Sequence, residues 1–187
     1  MSEKPRDDRE GRSPDERLFR RLYDAEISYV IRSLRRLGIA QAELEDLAHD
    51  VFVVVHRRWD DFDRDRPVRP WLFGIAVRTA ARALDRSWRR RELSLGPGAI
   101  EAAAAPAPSG SADDDARALL LQALASLELE QRTVCILHDL DGQAAPEIAA
   151  ALGIPLNTVY SRLRVARERL AAEVHRLNDS GSKGARR

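Results

Sequence analysis

The sequence predicts an all-α protein of two small helical domains joined by a flexible linker, the second domain containing a helix-turn-helix. Three observations carry that expectation. Apolar residues recur every three or four positions through both halves, and no segment alternates as a half-buried strand would. A stretch rich in Gly, Pro, Ala and Ser divides the chain. Finally, Ala145 to Arg169 places apolar, small and turn-forming residues where two crossing helices require them.

The first half holds three helical segments. Leu18, Leu22, Val30, Leu34 and Leu37 fall on one face, and Gly38 stands where a C-cap belongs. Residues 1–17 are mostly polar and mixed in charge, and are expected to form a flexible tail. Next, Leu44, Leu47, Val51, Val54 and Val55 form an apolar stripe. Glu43, Glu45, Asp46 and Asp50 surround its N-terminal half, where carboxylates complement the helix dipole. A charged loop, Asp60 to Arg69, leads into the third segment, from about Pro70 to Arg91. These segments make a first domain over residues 18–94.

Between Leu95 and Asp115 the sequence reads LGPGAIEAAAAPAPSGSADDD, and Pro106, Pro108 and Gly110 would break a helix there. Its composition predicts a flexible, acidic linker. A second domain follows over residues 116–177. Leu120, Leu124 and Leu127 mark one helix, and Val134, Leu137 and Leu140 a second. A short third runs from about Pro146 to Leu152, with proline in the first turn where it is tolerated. A longer fourth spans about Leu156 to Leu177, and residues 178–187 are expected to be a flexible tail.

Composition narrows the function. The chain has 187 residues, 33% of them charged and 5% aromatic, with 31 basic and 30 acidic side chains. The net charge of +1 is uninformative, so the placement of charge matters more. One cysteine, Cys135, excludes an internal disulfide and suits a reducing, cytoplasmic location. No apolar run approaches the roughly 18 residues of a membrane span, and the polar N-terminus lacks the apolar core of a signal peptide. Membrane insertion is therefore not expected.

Catalysis finds no support. There is no phosphate-cradling glycine loop and no Ser/His/Asp set in recognisable context. Cys135 with His138, or Asp46 with His49 and Asp50, could share a helix face, but a structural zinc needs four ligands. No metal or cofactor is expected, and Cys135 reads as a small core residue.

Two clusters point to nucleic acid. In the helix-turn-helix, Ile148, Leu152, Ile154 and Val159 are apolar at the crossing, Ala149 is small, and Gly153 falls at the turn. Its second helix carries Asn157, Thr158, Tyr160, Ser161, Arg162, Arg164, Arg167 and Arg169, polar groups able to meet bases or phosphates in a major groove. An ordinary solvated helix face is the alternative reading. In the first domain, Arg78, Arg82 and Arg86 stand four residues apart on one face, prolonged by Arg89, Arg90 and Arg91. Such a stripe is an electrostatic footprint for nucleic acid. Trp59, Phe62, Trp71, Phe73 and Trp88 lie near it; single-stranded bases stack on such rings, although each reads more readily as a core residue than as a DNA contact.

Taken together, these segments resemble a known family. DLAHDVFVVVHRRWDDFDRDRPVRPWLFGIA, Asp46 to Ala76, is similar to domain 2 of the extracytoplasmic-function subfamily of sigma-70 factors. LASLELEQRTVCILHDLDGQAAPEIAAALGIPLNTVYSRLRVARERL, Leu124 to Leu170, is similar to domain 4. The resemblance covers about Leu18 to Arg91 and Leu119 to Leu177, in the family's order. It implies an alternative sigma factor that directs promoter recognition, DNA melting and transcription initiation with core RNA polymerase.

On that resemblance, Asp46, Asp50 and Val51 dock on the polymerase clamp. Phe62, Asp63 and Arg66 in the loop capture a flipped non-template base at the −10 element, and the helix from Trp71 onward, with Arg78, Arg82 and Arg86, holds duplex and single strand at the melting edge. Residues 156–169 read the −35 element. Members of the family often carry asparagine or aspartate at the positions of Arg78 and Arg82, so a role there rests on their charge alone. An anti-sigma protein is a further implied partner. The alternative reading is a stand-alone helix-turn-helix regulator, which would bind duplex DNA without polymerase.

Overall fold

The computed structural model describes the backbone of residues 14–95 and 112–184 and the side chains of residues 15–90 and 113–177. Residues 1–13, 96–111 and 185–187 lie outside the described residues, as do most of the expected linker and the ends of both expected tails. Among the described residues every regular element is helical.

Helix α1 (Pro14–Arg36) starts four residues before the first apolar position, Leu18, with Pro14, Asp15 and Glu16 in its first turn and Arg35 and Arg36 in its last. Proline and acids suit a helix start, and bases suit its end. Gly38 closes it at φ 100°. The Gly38 amide donates to Arg35 O at 3.0 Å and the Ile39 amide to Leu34 O at 3.1 Å, the paired bonds of a Schellman ending.

Helices α2 (Leu44–Arg57) and α3 (Val68–Leu95) pack with α1 into a three-helix unit. Val30, Leu34, Leu37, Leu44, Leu47, Val51, Val55, Leu72 and Phe73 fill its interior. Each such side chain, fully buried, contributes about 1.5–3 kcal/mol by leaving water. Leu18 departs from the expected stripe and is 42% exposed, because the other helices pack farther along α1.

Helix α4 (Ala112–Ala125) begins inside the expected linker, and Asp113, Asp114 and Asp115 in its first turn favour the start. Helix α5 (Leu129–Cys135) runs on into a π-helical turn, Ile136–Leu140, closed by the Asp141 amide on Ile136 O at 2.9 Å. Helices α6 (Ala145–Leu152) and α7 (Leu156–Gly184) complete the described residues. Leu124, Val134, Ile136, Leu137, Ile148, Val159 and Leu163 are the core here, and buried Cys135 joins them as a small side chain.

The two sets of helices share one continuous apolar cluster, with α4 touching α1 and α6 lying against α3. Polar bonds reinforce the seam. Tyr29 Oη donates to Asp141 Oδ2 at 2.7 Å, and Arg36 pairs with Asp141 Oδ1 at 3.0 Å. Arg132 donates to Leu37 O at 2.6 Å, Ala125 O at 3.0 Å and Leu127 O at 2.9 Å, so one guanidinium satisfies carbonyls that the ends of α1 and α4 leave unpaired.

Candidate nucleic-acid interface

The turn of the helix-turn-helix is built as its sequence requires. Pro146 occupies the first turn of α6, and the Glu147 carboxylate accepts from the Ala144 amide at 3.3 Å. Gly153 takes φ 67°, in the left-handed region, and the Ile154 amide reaches Ala149 O at 3.1 Å. Ile148, Val159, Leu163 and Ala166 are buried at the crossing, while Leu152 and Ile154 are half-buried. The crossing fixes which face of α7 turns outward.

Along α7 the expected DNA-reading side chains divide. Asn157, Ser161 and Arg164 are exposed, and Tyr160 is 53% exposed. Arg164 bonds only within its own helix, to Glu168 at 2.9 Å. Arg162 is held against α5 by Glu130, and Arg167 pairs with Asp139 at 2.5 Å. Those two arginines therefore brace α7 as well as contribute charge. The Arg167 guanidinium, with His138 beside it, holds the Asp139 carboxyl below its ordinary range. Thr158 is half-buried, and its carbonyl accepts from Ser161 Oγ at 3.0 Å.

A second surface forms at the start of α3. The Trp59–Asp61 turn and the loop after it carry Phe62, whose ring stacks on Trp71 with centroids 4.7 Å apart and planes at 29°. Arg66 pairs with Asp63 at 3.1 Å, Arg58 with Asp61 at 3.0 Å, and Arg64 lies over Trp59. The stack and loop line a cleft of about 570 Å³ that also takes in Arg58 and Arg78. Among the described residues Arg78 has no acidic partner; burial and the nearby Arg58 and Arg82 guanidiniums hold its pKa below the ordinary arginine value. A cationic group so placed favours an incoming anion.

Farther along α3, Arg82 and Arg86 remain exposed, whereas Arg89 pairs with Asp85 at 2.6 Å and Arg90 with Glu43 at 3.3 Å. The side chain of Arg91 lies outside the described set. The aromatics also divide: Phe73 is fully buried, Trp59, Phe62 and Trp71 are half-buried, and Trp88 is exposed.

On α2, Asp46 and Asp50 are exposed on one face. Val51, expected beside them, is fully buried in the core and offers nothing to a partner. Its stripe position, between Leu47 and Val55, already pointed inward. The exposed apolar residue on the acidic face is Val53, 48% exposed and two helical turns beyond Asp46, a spacing readable from the sequence. Arg58 in the cleft had no comparable signal. No metal-binding group of three or more ligands occurs among the described residues.

Comparison with known proteins shows the family. Residues 22–90 match the sigma-70 region 2 family and residues 117–170 the sigma-70 region 4 family. The RNA polymerase sigma factor CnrH of Cupriavidus metallidurans is 31% identical over 169 residues, covering 86% of this chain and 88% of the relative. The chain is an extracytoplasmic-function sigma factor of the sigma-70 family. NccH of Alcaligenes xylosoxydans is 32% identical over 84% of the sigma factor and 87% of the relative, and the Escherichia coli sigma-E factor 30% identical over 79% and 82%.

Solved structures share the fold of this sigma factor. CnrH in complex with the cytosolic domain of CnrY has a TM-score of 0.61 at 30% identity, covering 88% of this chain and 90% of that one. RpoE of Bartonella quintana, in complex with the anti-sigma factor NepR, has a TM-score of 0.69 at 24% identity, over 85% and 98%.

Proposed function

We propose that the sigma factor binds core RNA polymerase, directs it to promoter DNA and opens the duplex there. One observation carries this best: a single chain holds both an arginine-lined aromatic cleft suited to an unstacked base and a helix-turn-helix suited to duplex. A stand-alone regulator would use the second surface and have no use for the first.

The division of labour follows the geometry. Residues 18–94 act as sigma domain 2, 116–177 as domain 4, and 95–115 as the linker between them. Asp46, Asp50 and Val53, all exposed, form the polymerase-docking face of α2. The Phe62–Trp71 stack receives a base extruded from the −10 element, with Asp63 and Arg66 at its edge. Extrusion costs a few kcal/mol, which stacking at about 1–3 kcal/mol per base offsets. Arg78, Arg82 and Arg86 neutralise phosphates at the melting edge. Asn157, Tyr160, Ser161 and Arg164 read the −35 duplex, with Thr158, Arg162 and Arg167 positioning the helix and adding charge.

The chain acts in the cytoplasm, without catalytic residues, metal or cofactor of its own. No described helix is long and apolar enough to cross a membrane. CnrH and RpoE were each solved with a protein partner, which supports an anti-sigma protein as a third partner here. The reading is tested by permanganate footprinting of promoter DNA with core polymerase. Reactive thymines at the −10 element should require this protein and disappear with Trp71→Ala. Reactivity without the protein would refute the role.

A further inference from the structure

We propose that the recognition helix picks out thymine in the −35 element by apolar contact, with Tyr160 and Leu156 closing on its 5-methyl group in the major groove. The proposal rests on the reading of α7 as the −35 helix given above and adds the base that it prefers. Among the described residues, two of the exposed large apolar side chains fall within the first five residues of α7: Leu156, 38% exposed, and Tyr160, 53% exposed. They stand four residues apart and so share one side of the helix. The crossing does not need them, because Val159, Leu163 and Ala166 fill it from the adjacent face. Among the described residues no hydrogen bond or ring contact holds Tyr160.

The groups around the pair favour DNA as its cover. Asn157, Ser161 and Arg164 are exposed on the neighbouring strip of the helix, and Arg164 is engaged only with Glu168, one turn on. Arg162 and Arg167, by contrast, are turned back onto α5 and its π-helical extension by Glu130 and Asp139. A protein surface laid over Leu156 and Tyr160 would also desolvate the amide, hydroxyl and guanidinium beside them. A duplex meets those same groups with base edges and phosphates.

The chemistry of the groove then selects the base. Every base pair shows hydrogen-bonding groups there, and thymine alone adds an apolar one, its 5-methyl. The N-terminal residues of a recognition helix are those that reach base edges, which is where Leu156 and Tyr160 stand. Tyrosine offers a ring to lay on the methyl and a hydroxyl to reach a phosphate, so one side chain serves both surfaces.

The test replaces thymine by deoxyuridine, which removes the methyl and leaves the pairing edge unchanged. Duplexes are first selected from a randomised library, once with holoenzyme and once with the full-length protein alone. Each thymine of the −35 element, on either strand, is then replaced singly. Competition binding is measured for the unsubstituted protein, Tyr160→Ala, Leu156→Ala and Tyr160→Phe, and circular dichroism confirms that helix content is unchanged.

The selected −35 element should contain thymine, and uridine at one or two of its positions should weaken binding roughly fourfold, the worth of one buried methyl. Tyr160→Ala should bind the thymine and uridine duplexes alike. Leu156→Ala should narrow the difference, and Tyr160→Phe, which keeps the ring, should retain it. A −35 element without thymine, or binding indifferent to the methyl at every position, overturns the proposal. So does discrimination that survives Tyr160→Ala, or that Tyr160→Phe abolishes, since a hydroxyl bond would then be the reader. Selection by the protein alone but never by holoenzyme would count against the sigma-factor reading instead, and the uridine series on those duplexes still reads the contact. Selection of no duplex in either form overturns both.

Discussion

Gly38 and Arg132 make a coupled pair whose energetics can be worked from the structure. Gly38 sits at φ 100°, and a Cβ there would meet Arg132 Nη1 at 2.5 Å. Gly38→Ala therefore carries two costs. The backbone cost of a left-handed residue is about 1–2 kcal/mol. Displacing the guanidinium forfeits its bonds to Leu37 O, Ala125 O and Leu127 O. Charged hydrogen bonds are worth about 1.5–3 kcal/mol each, but water reaches the freed carbonyls in part, so a loss of about 2–3 kcal/mol overall is expected.

Gly153 supplies the control. It also has positive φ, at 67°, but nothing stands within 4 Å of an added Cβ. Gly153→Ala should cost about 1–2 kcal/mol and Gly38→Ala about 3–5 kcal/mol. At about 2–4 °C per kcal/mol for a chain of this size, the difference amounts to several degrees in Tm. Urea unfolding followed by circular dichroism measures both. In an Arg132→Ala background the Gly38→Ala cost should shrink to the backbone part alone. Equal costs for Gly38→Ala in the two backgrounds would refute the reasoning.

Other perturbations separate the surfaces. Arg164→Ala should weaken −35 recognition by about 1–3 kcal/mol in duplex-binding assays, with polymerase binding intact. Arg162→Ala should lower thermal stability as well, because Arg162 also ties α7 to Glu130. Val53→Glu should reduce capture by core polymerase in a pull-down while leaving the melting temperature nearly unchanged, whereas Val51→Ala should mainly destabilise.

Alkaline pH should destabilise the fold. Burial, with Asp139 beside it, pushes the Cys135 thiol up to about 11, so the unfolded chain ionises first. Stability from this group is full below about pH 9 and is lost as pH rises towards about 11. Burial and the bond to Asp141 also raise the Tyr29 hydroxyl, which extends the loss to higher pH. Denaturant midpoints measured across pH 8–11 should fall, and Cys135→Ala should flatten the slope between about pH 9 and 11.

Much of this architecture was legible in the sequence because it is local. Apolar spacing marked α1, α2, α4 and α5, Gly38 and Gly153 marked two endings, and the crossing residues of the helix-turn-helix identified themselves. The early start of α4 was hidden by the Gly/Pro-rich composition before it, although Asp113 to Asp115 are good first-turn residues. Long-range partners were not legible. Nothing in spacing shows that Glu130 and Asp139 would hold Arg162 and Arg167, or that Asp141 would meet Tyr29 across 112 positions. Val51 shows the converse: membership in a resembling motif pointed to a partner, while its place in the stripe Leu47, Val51, Val55 placed it in the core.

The central claim is that this chain confers promoter-specific initiation on core polymerase. In vitro transcription with purified core polymerase, on the DNA upstream of its own gene and on a genomic fragment library, tests it most directly. The account predicts new start sites that appear only with the protein and vanish with Trp71→Ala. A chain that neither binds core polymerase nor yields any dependent transcript, yet binds duplex DNA by itself, would contradict it.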